Sequence, residues 1–438
     1  MKDMKMLLDG YAESGNDYSD FKEKVDEVVD MTKDLVVRGR DITFLSLCEK
    51  PDPSLVEPGK ELFYVLDEKS LESFVMESKR LAAGRVAVAE IGYELFDELK
   101  KTTGLMAIIN GEKYLFSDNA IKTFTIMASV SGEYTVTRQN LIRNMHIADA
   151  IIAKNEKIHF VYREIQIGTR PDGTPVMAKK IFACLGGYYQ PVPQSILYNL
   201  ADLVTKDGTL GDMSVNYWTL NQRFTDLYID FPTAADDFKK LYKLPDKIIP
   251  GLLLCTSDTG DSSVIVRGVY RVGRHYVITD EVAMKHTKEV SARKILDRAD
   301  EVIFSSFRRL PETLANLIGK EVADYSSIDL SSESGAAKNL SAVAKCMESL
   351  SKKLLKSILP KKHLDTILQC MQDEIDSSRP YTLYDIAITF MGIADRLSGL
   401  DNVTLTEIRK ACARAPFILD KEIKVYSAEE EEIALLPA

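Results

Sequence analysis

The chain has 438 residues, of which 45% are hydrophobic and 28% are charged, a composition typical of a globular protein. Because a single core stops growing well below this length, two or three domains are expected. The net charge of −10 and the pI near 5.3 argue against broad, unspecific adhesion to nucleic acid or anionic membranes, but they leave room for a local basic groove.

The sequence also argues against a membrane partner. No window holds the ~20 uninterrupted apolar residues that a spanning helix needs. Residues 1–18 contain only a short apolar run and become acidic at once, which is unlike a secretory signal. We therefore expect a cytoplasmic protein.

Residues 1–135 predict a mixed α/β N-terminal domain. Apolar residues at helical spacing after Tyr18 predict a helix that ends at Gly39. Asn110-Gly111 stands between two apolar runs, which is the strongest short signal of a β-hairpin. Further helices are expected over 71–83 and 88–104, and a strand over 61–67.

Residues 136–330 carry most of the strand signal and predict a central α+β domain. Strands are expected on both sides of the turn at 169–175 and around Trp218, the only tryptophan. Residues 252–279 read as three strands joined by two turns. Helices are expected after Thr137, after Pro193-Gln194, and from a cap at Thr287 to Pro311, where proline should stop the helix.

Residues 331–426 predict a C-terminal helical bundle, because amphipathic helices follow one another through short connections. Residues 427–438 form an acidic tail, in which four consecutive glutamates precede an apolar tip. The overall prediction is an α+β fold, with a strand-rich central domain between a mixed α/β region and a helical bundle.

No catalytic or metal-binding motif is present in the sequence. The six cysteines are scattered without a C-x-x-C pair, and the five histidines are dispersed. His146 and Asp149 share a helix face, a pair that is more often structural than catalytic. No nucleophile elbow, dinucleotide fingerprint or P-loop occurs. We therefore predict no catalytic residue, metal or cofactor, and an enzyme is the least favoured class.

Residues 180–204, with the sequence KIFACLGGYYQPVPQSILYNLADLV, carry a resemblance to a known family. Three further pieces follow in order: Ser257–Ser263, Val269–Arg271 and Lys285–Thr287. Together they resemble the phage- and plasmid-borne proteins grouped as domain of unknown function 932, over the central third of the chain. The resemblance implies a mobile-element origin, in a bacterial or phage-infected cell or in a virion. It implies no settled activity.

The segment from Arg267 to Arg309 is locally basic, with a net charge of +4 in an acidic chain. Cations alternate there with rings, which suits single-stranded nucleic acid because phosphates need positive charge and bases stack on aromatic faces. His286 lies where a helix N-terminus could hold an anion, or it simply belongs to the capping region. The predicted nucleic-acid-binding residues are Arg267, Tyr270, Arg271, Arg274, Lys285, His286, Lys288 and Arg293. The alternative is a solvated strand face and helix with i,i+4 charge pairs.

Two hypotheses of function follow. The first is a phage- or plasmid-encoded, non-enzymatic accessory protein that binds single-stranded nucleic acid in replication or recombination. The alternative is a self-assembling structural or virion-associated protein, for which we expect a homo-oligomer. The acidic tail could dock on another copy, on a partner protein or over the basic groove, or it could stay solvated.

Overall fold

The computed structural model describes residues 12–47, 62–66, 85–87, 93–102, 104–129, 141–207, 212–242, 248–260, 262–284, 291–372, 375–397, 399–400 and 402–421. Within these ranges the chain forms two β-sheets covered by helices, and the predicted α+β class is confirmed.

The described residues form fourteen strands and eleven α-helices, numbered in chain order. The strands are β1 (Ala12–Gly15), β2 (Thr32–Arg38), β3 (Ile42–Leu47), β4 (Leu62–Leu66), β5 (Arg85–Ala87), β6 (Leu105–Ile109), β7 (Glu112–Phe116), β8 (Lys157–Thr169), β9 (Pro175–Gly186), β10 (Ser214–Asn221), β11 (Thr225–Asp230), β12 (Ile248–Thr256), β13 (Val264–Val272) and β14 (His275–Met284). The helices are α1 (Tyr18–Met31), α2 (Tyr93–Lys101), α3 (Asp118–Ala128), α4 (Leu141–Lys154), α5 (Ile196–Asp207), α6 (Ala235–Tyr242), α7 (Ala292–Ile318), α8 (Glu333–Leu354), α9 (Lys361–Gln372), α10 (Leu383–Met391) and α11 (Asn402–Cys412).

The six-stranded sheet has the order β1-β10-β11-β12-β13-β14, and all of its neighbours are antiparallel. The eight-stranded sheet has the order β2-β8-β9-β7-β6-β3-β4-β5 and is mixed, with parallel pairs at β9-β7, β3-β4 and β4-β5. Strands before and after residue 135 share this second sheet, while β1 crosses to the first. The predicted domain boundary at residue 135 therefore falls between strands of the same sheet, and it does not separate one sheet from the other.

The inner faces of both sheets share one apolar core. The six-stranded sheet contributes Leu252, Leu254, Val266 and Tyr270, and the eight-stranded sheet contributes Met106, Leu115 and Phe182. Helices α1, α5 and α7 and the C-terminal helices pack into the same core. A second core lies on the other face of the eight-stranded sheet, under α3 and α4. Shared burial on the inner faces fixes how the two sheets meet, because neither face can be left in water.

Two predicted hairpins are confirmed. Asn110 and Gly111 join β6 to β7 with φ values of 51° and 80°, the left-handed backbone that this dipeptide tolerates well. The turn containing Gly173, with φ 85°, joins the long strands β8 and β9. Both turns follow local rules that hold without help from the rest of the fold.

The helix predicted to run from Tyr18 to Gly39 is wrong in its second half. It ends at Met31, and Thr32–Arg38 forms β2, an edge of the eight-stranded sheet that pairs with β8 in antiparallel register. The apolar spacing continued across the boundary, but β-branched Thr32, Val36 and Val37 suit a strand. The segment forms a strand because it pairs with β8, about 130 residues later in the chain.

The prediction that Pro311 stops a helix is also wrong. Helix α7 is capped by the Ser291 side chain and runs through Pro311 to Ile318. Leu310, Leu314 and Leu317 have no exposed surface, so burial on both sides of the proline holds the helix together. The predicted caps at Thr287 and Thr137 lie outside the described residues.

The predicted C-terminal helices are confirmed. Ser332 caps α8, Pro360 separates α8 from α9, and Thr382 and Asp385 form a reciprocal capping box at the start of α10. The tail at 427–438 lies outside the described residues. Among the described helices, none combines the length and the apolar character that crossing a bilayer requires.

Candidate functional site

A cavity of about 530 Å³ lies between the outer face of the six-stranded sheet and the C-terminal helices. Its floor comes from β10, β11 and the start of β14, one side comes from β1, and the other from α11 and the turn after α10. A volume in the range of ~300–1,000 Å³ is typical of small-ligand pockets. Of the strands that form the floor, β14 belongs to the segment Arg267–Arg309, in which the sequence predicted cations and rings, whereas β10 and β11 do not.

Three tyrosines form a row across the cavity floor. Tyr217 and Tyr228 face each other across β10 and β11, with ring centroids 5.9 Å apart. Tyr228 and Tyr276 follow at 4.6 Å. Tyr228 is 6% exposed, whereas Tyr217 and Tyr276 keep part of their surface open. The row therefore offers aromatic surface that is already packed and does not have to be ordered by a ligand.

A hydrogen-bond network holds Tyr276 in place. Its hydroxyl donates to Asp230 Oδ1 at 3.3 Å and accepts from the Asn216 amide. Arg271 Nε donates to Asp230 Oδ2 at 2.7 Å. Burial raises the pKa of Asp230 even though Arg271 opposes the shift, and burial also raises the pKa of the Tyr276 hydroxyl. Tyr276 is therefore a fixed, neutral ring at neutral pH.

Gly251 makes room for this network. An added Cβ there would lie 2.2 Å from the Ile229 carbonyl oxygen and 3.3 Å from Asp230 Oδ1. The close approach of β12 to β11 at this point requires glycine, since the obstructing atom is backbone and cannot move aside.

Positive groups lie on the rim of the cavity. Arg274 is exposed, and its Nε lies 3.4 Å from Nε2 of the half-buried His275. Burial lowers the pKa of His275, and neighbouring Arg274 lowers it further. Arg409 projects from α11 and meets Asp395 at 3.4 Å. Glu13, the other rim carboxylate, has Lys24 at 3.7 Å. Arg274 is thus the rim cation most available to an anion.

A buried ion pair fixes α11 against the sheet beside the cavity. Lys410 Nζ lies 2.7 and 2.6 Å from the two carboxylate oxygens of Asp226, which has no exposed surface. The ammonium also lies 4.3 Å from the Phe224 ring centroid and 3.8 Å from Cys255 Sγ. Burial, together with Asp226, raises the pKa of the Cys255 thiol to about 12, so this thiol is protonated at neutral pH.

The predicted nucleic-acid-binding residues do not share one surface. Tyr270 points to the inner face and has no exposed surface, so its prediction as a stacking ring is wrong. Arg267 lies opposite Glu281 in the strand register, and Arg271 is bound to Asp230. Arg293 pairs with Asp297 at 3.0 Å on α7. Only Arg274 lines the cavity, and Lys285, His286 and Lys288 lie outside the described residues.

Sequence reasoning missed most of the cavity residues. Tyr276 lies within the basic segment but is not among the predicted residues, and neither are Tyr217, Tyr228 and Arg409. A signal for Tyr228 exists, because residues 225–230 read TDLYID and alternate apolar Leu227 and Ile229 with polar or aromatic neighbours. Such alternation predicts a strand with a polar-aromatic face. No comparable local signal points to Arg409, which reaches the cavity only through the packing of α11.

The described residues contain no group of three or more histidine, cysteine or carboxylate side chains placed to hold a metal ion. Their cysteines are all free: Cys184, Cys255 and Cys412 are buried, and Cys346 is partly buried. The side chains of Cys48 and Cys370 lie outside the described set.

Comparison with protein-family models, with curated proteins and with solved structures yielded no match to this chain.

Proposed function

We propose that this chain is a non-enzymatic accessory protein of a phage or plasmid that binds single-stranded nucleic acid through the tyrosine-lined cavity. The observation that supports the proposal is the row of Tyr217, Tyr228 and Tyr276 beside the exposed Arg274. The mobile-element origin depends on the resemblance of residues 180–204 and the segments after them.

Rings and cations in this arrangement suit unpaired bases. Every base has a face that stacks on an aromatic side chain, and each such contact is worth about 1–3 kcal/mol. A base reaches a cavity floor only when it is not paired in a duplex, which favours single strands over double strands. The partly open Tyr217 and Tyr276 are the rings that a base would contact.

The charges of the rim set the expected salt dependence. Arg274 lines the cavity as an exposed cation, while Arg409 is partly engaged by Asp395 and Glu13 by Lys24. Each phosphate that a cation neutralises contributes about −0.7 to the slope of log K against log salt for single strands. Because few cations line the cavity of this acidic protein, we expect weak binding and a shallow salt slope, set by the one or two phosphates that Arg274 and Arg409 can neutralise.

Fluorescence anisotropy with a labelled oligothymidine of about 15 nucleotides tests the proposal, at low and at physiological salt. Tyr217→Ala should weaken binding by about 1–3 kcal/mol, as expected for the loss of one stacking ring. Arg274→Ala should weaken binding less and should reduce the salt slope by about 0.7.

Matched controls come from the same chain. Tyr188 is 92% exposed and Arg170 is exposed on the β8–β9 turn, both outside the cavity. Tyr188→Ala and Arg170→Ala should bind the oligonucleotide as the unchanged protein does. Equal losses in the control and the cavity variants, or equal affinity for duplex, would contradict the proposal. Light scattering on the same samples measures self-association, which stays a prediction.

A further inference from the structure

Strand β2, at one edge of the eight-stranded sheet, offers its backbone to another chain. Of the four strands at the sheet edges, β1 and β5 are only four and three residues long. The outer edge of β14 is partly covered, because Ile278 N–H donates to the Ala413 carbonyl at 3.1 Å. Strand β2 has seven residues and pairs with β8 alone among the described strands. A long edge strand of this kind is a template for pairing with a further strand.

Alternate residues of β2 direct their backbone groups away from β8. Gly39 N–H donates to the Glu156 carbonyl at 3.1 Å and continues the β2–β8 register. Because bonded and non-bonded pairs alternate in an antiparallel ladder, the odd-numbered residues of β2 are the ones that bond to β8. The N–H and C=O groups of Asp34, Val36 and Arg38 therefore point outward, and none of them has a backbone partner within the described part of the chain.

The side chains of the same three residues are exposed on one face of the sheet. Val36 is 49% exposed, although it is a large apolar residue. Asp34 is oriented by His159, whose Nε2 lies 3.0 Å from Asp34 Oδ2. Arg38 makes no ion pair with another described residue. Four strand residues span about 13 Å, so Asp34 and Arg38 of one chain cannot pair with each other.

A second copy of the chain, paired antiparallel about Val36, would satisfy these groups together. In that register Val36 lies opposite Val36 of the partner subunit, and Asp34 lies opposite the partner's Arg38 on both sides of the two-fold axis. The outward backbone groups at these positions then bond to one another. The neighbouring symmetric registers, centred on Leu35 or on Val37, would put Asp34 or Arg38 opposite an apolar valine. Charge complementarity therefore selects the register about Val36.

We propose that the chain forms a two-fold symmetric dimer through β2, in antiparallel register about Val36. The two eight-stranded sheets become one continuous sheet across the dimer. Because one strand pair forms a small interface, the dimer dissociates on dilution, and salt weakens it by screening the two ion pairs. This inference does not depend on nucleic-acid binding at the tyrosine-lined cavity, since the two surfaces share no residue.

Cysteine cross-linking of the full chain tests the register. Opposite residues in a bonded antiparallel pair have Cα atoms about 5.5 Å apart, which a disulfide can bridge. Val36→Cys should therefore yield a disulfide-linked dimer under mild oxidation. Lys33→Cys is the matched control, because it is exposed on the same strand but would lie about 20 Å from its counterpart across the axis. The unchanged protein measures any linkage through its own cysteines.

Charge reversal, followed by sedimentation equilibrium, tests the ion pairs. Asp34→Arg places two arginines opposite each other at each pair, and Arg38→Asp places two carboxylates there. Each variant alone should raise the dissociation constant of the dimer at least about tenfold. An equimolar mixture of the two should recover the dimer, because every pair then joins opposite charges again. Arg170→Asp, exposed on the β8–β9 turn, is the control for a change of charge and should dimerise as the unchanged protein does.

Three outcomes would overturn the proposal. One is an unchanged protein that stays monomeric at every concentration and at low salt. Another is a dimer that Arg38→Asp does not weaken, which would place the contact on a different surface. The third is cross-linking of Lys33→Cys as efficient as that of Val36→Cys, which would reject the register. Circular dichroism confirms that each variant is folded. If Asp34→Arg is unfolded through loss of the His159 contact, Arg38→Asp and Val36→Cys still decide the outcome.

Discussion

The two faces of the six-stranded sheet are built from the same strands but make different contacts. The inner face presents Leu252, Leu254 and Tyr270 to a core that both sheets share. The outer face presents Tyr228 together with carboxylates that pair with Arg271 and Lys410. Nearly all of these residues are buried, so burial alone does not distinguish the faces. The distinction lies in what the side chains meet.

Tyr270 and Arg271 show the consequence most clearly. They are neighbours in the sequence, yet consecutive strand residues point to opposite faces. Tyr270 joins the apolar core, while Arg271 binds Asp230 on the outside. A cation and a ring at consecutive strand positions therefore lie on opposite faces of the sheet. The rings that do meet, Tyr217, Tyr228 and Tyr276, come from three different strands.

The largest expected difference between the faces is in stability. Tyr270→Ala on the inner face should lower the free energy of unfolding by about 3–5 kcal/mol, as removal of a large buried ring does. Tyr217→Ala on the outer face, at a partly open position, should cost much less and act chiefly on ligand binding. Urea denaturation of both variants measures the contrast. Similar losses in the two would show that the outer rings are core residues as well.

The next largest effect concerns the ion pair on the outer face. Lys410→Met should lower the free energy of unfolding by about 3 kcal/mol, because Asp226 would remain as a fully buried charge without its partner. Adding Asp226→Leu should recover most of that loss, since the double variant leaves no uncompensated charge. Denaturation curves of Lys410→Met, of Asp226→Leu and of the double variant complete a double-mutant cycle. A double variant no more stable than Lys410→Met would argue against this assignment.

A smaller effect is expected at the tyrosine network. Tyr276→Phe keeps the ring but removes the hydroxyl that contacts Asp230 and Asn216, which should cost about 1 kcal/mol. Because the ring remains, oligothymidine affinity should change little. Thermal denaturation and anisotropy together measure the two effects. A large loss of affinity would instead give the hydroxyl a direct role in binding.

The smallest expected effect is a dependence of stability on pH, which arises from His275 on the rim of the cavity. The pKa of His275 is held below its usual value of 6.5 by burial and by Arg274. Between the lowered pKa and 6.5 the unfolded chain binds more protons, so stability should fall as the pH drops through that window. His275→Gln should flatten this part of the stability profile. Bound oligonucleotide should raise the His275 pKa in an NMR titration, because phosphate favours the imidazolium; an unchanged pKa would place the phosphates elsewhere.

Local rules predicted much of the secondary structure. The hairpin at Asn110-Gly111, the hairpin around Gly173 and the helix that follows Ser332 all depend on turn or capping chemistry within a few residues. The predictions failed at Thr32–Arg38 and at Pro311, where distant partners outweighed the local signal. A strand partner on β8 and a shared core are not visible in a window of neighbouring residues.

The candidate site depends still more on contacts between residues that are far apart in the sequence. Arg274 was predicted, whereas Arg409 lies more than a hundred residues later and reaches the same cavity through α11. No spacing rule brings such pairs together, because the contact arises from how the sheets pack.

By itself, the sequence determined the α+β class, the hairpin turns at Asn110-Gly111 and around Gly173, and the acidic balance of a chain with one basic segment. Composition, periodicity and turn chemistry act over a few residues, so they can be seen along the chain. Only the tertiary structure decided which face each ring and cation occupies, and which of them meet. Strand register and helix docking make those choices, because they follow from burying apolar surface contributed by the whole chain.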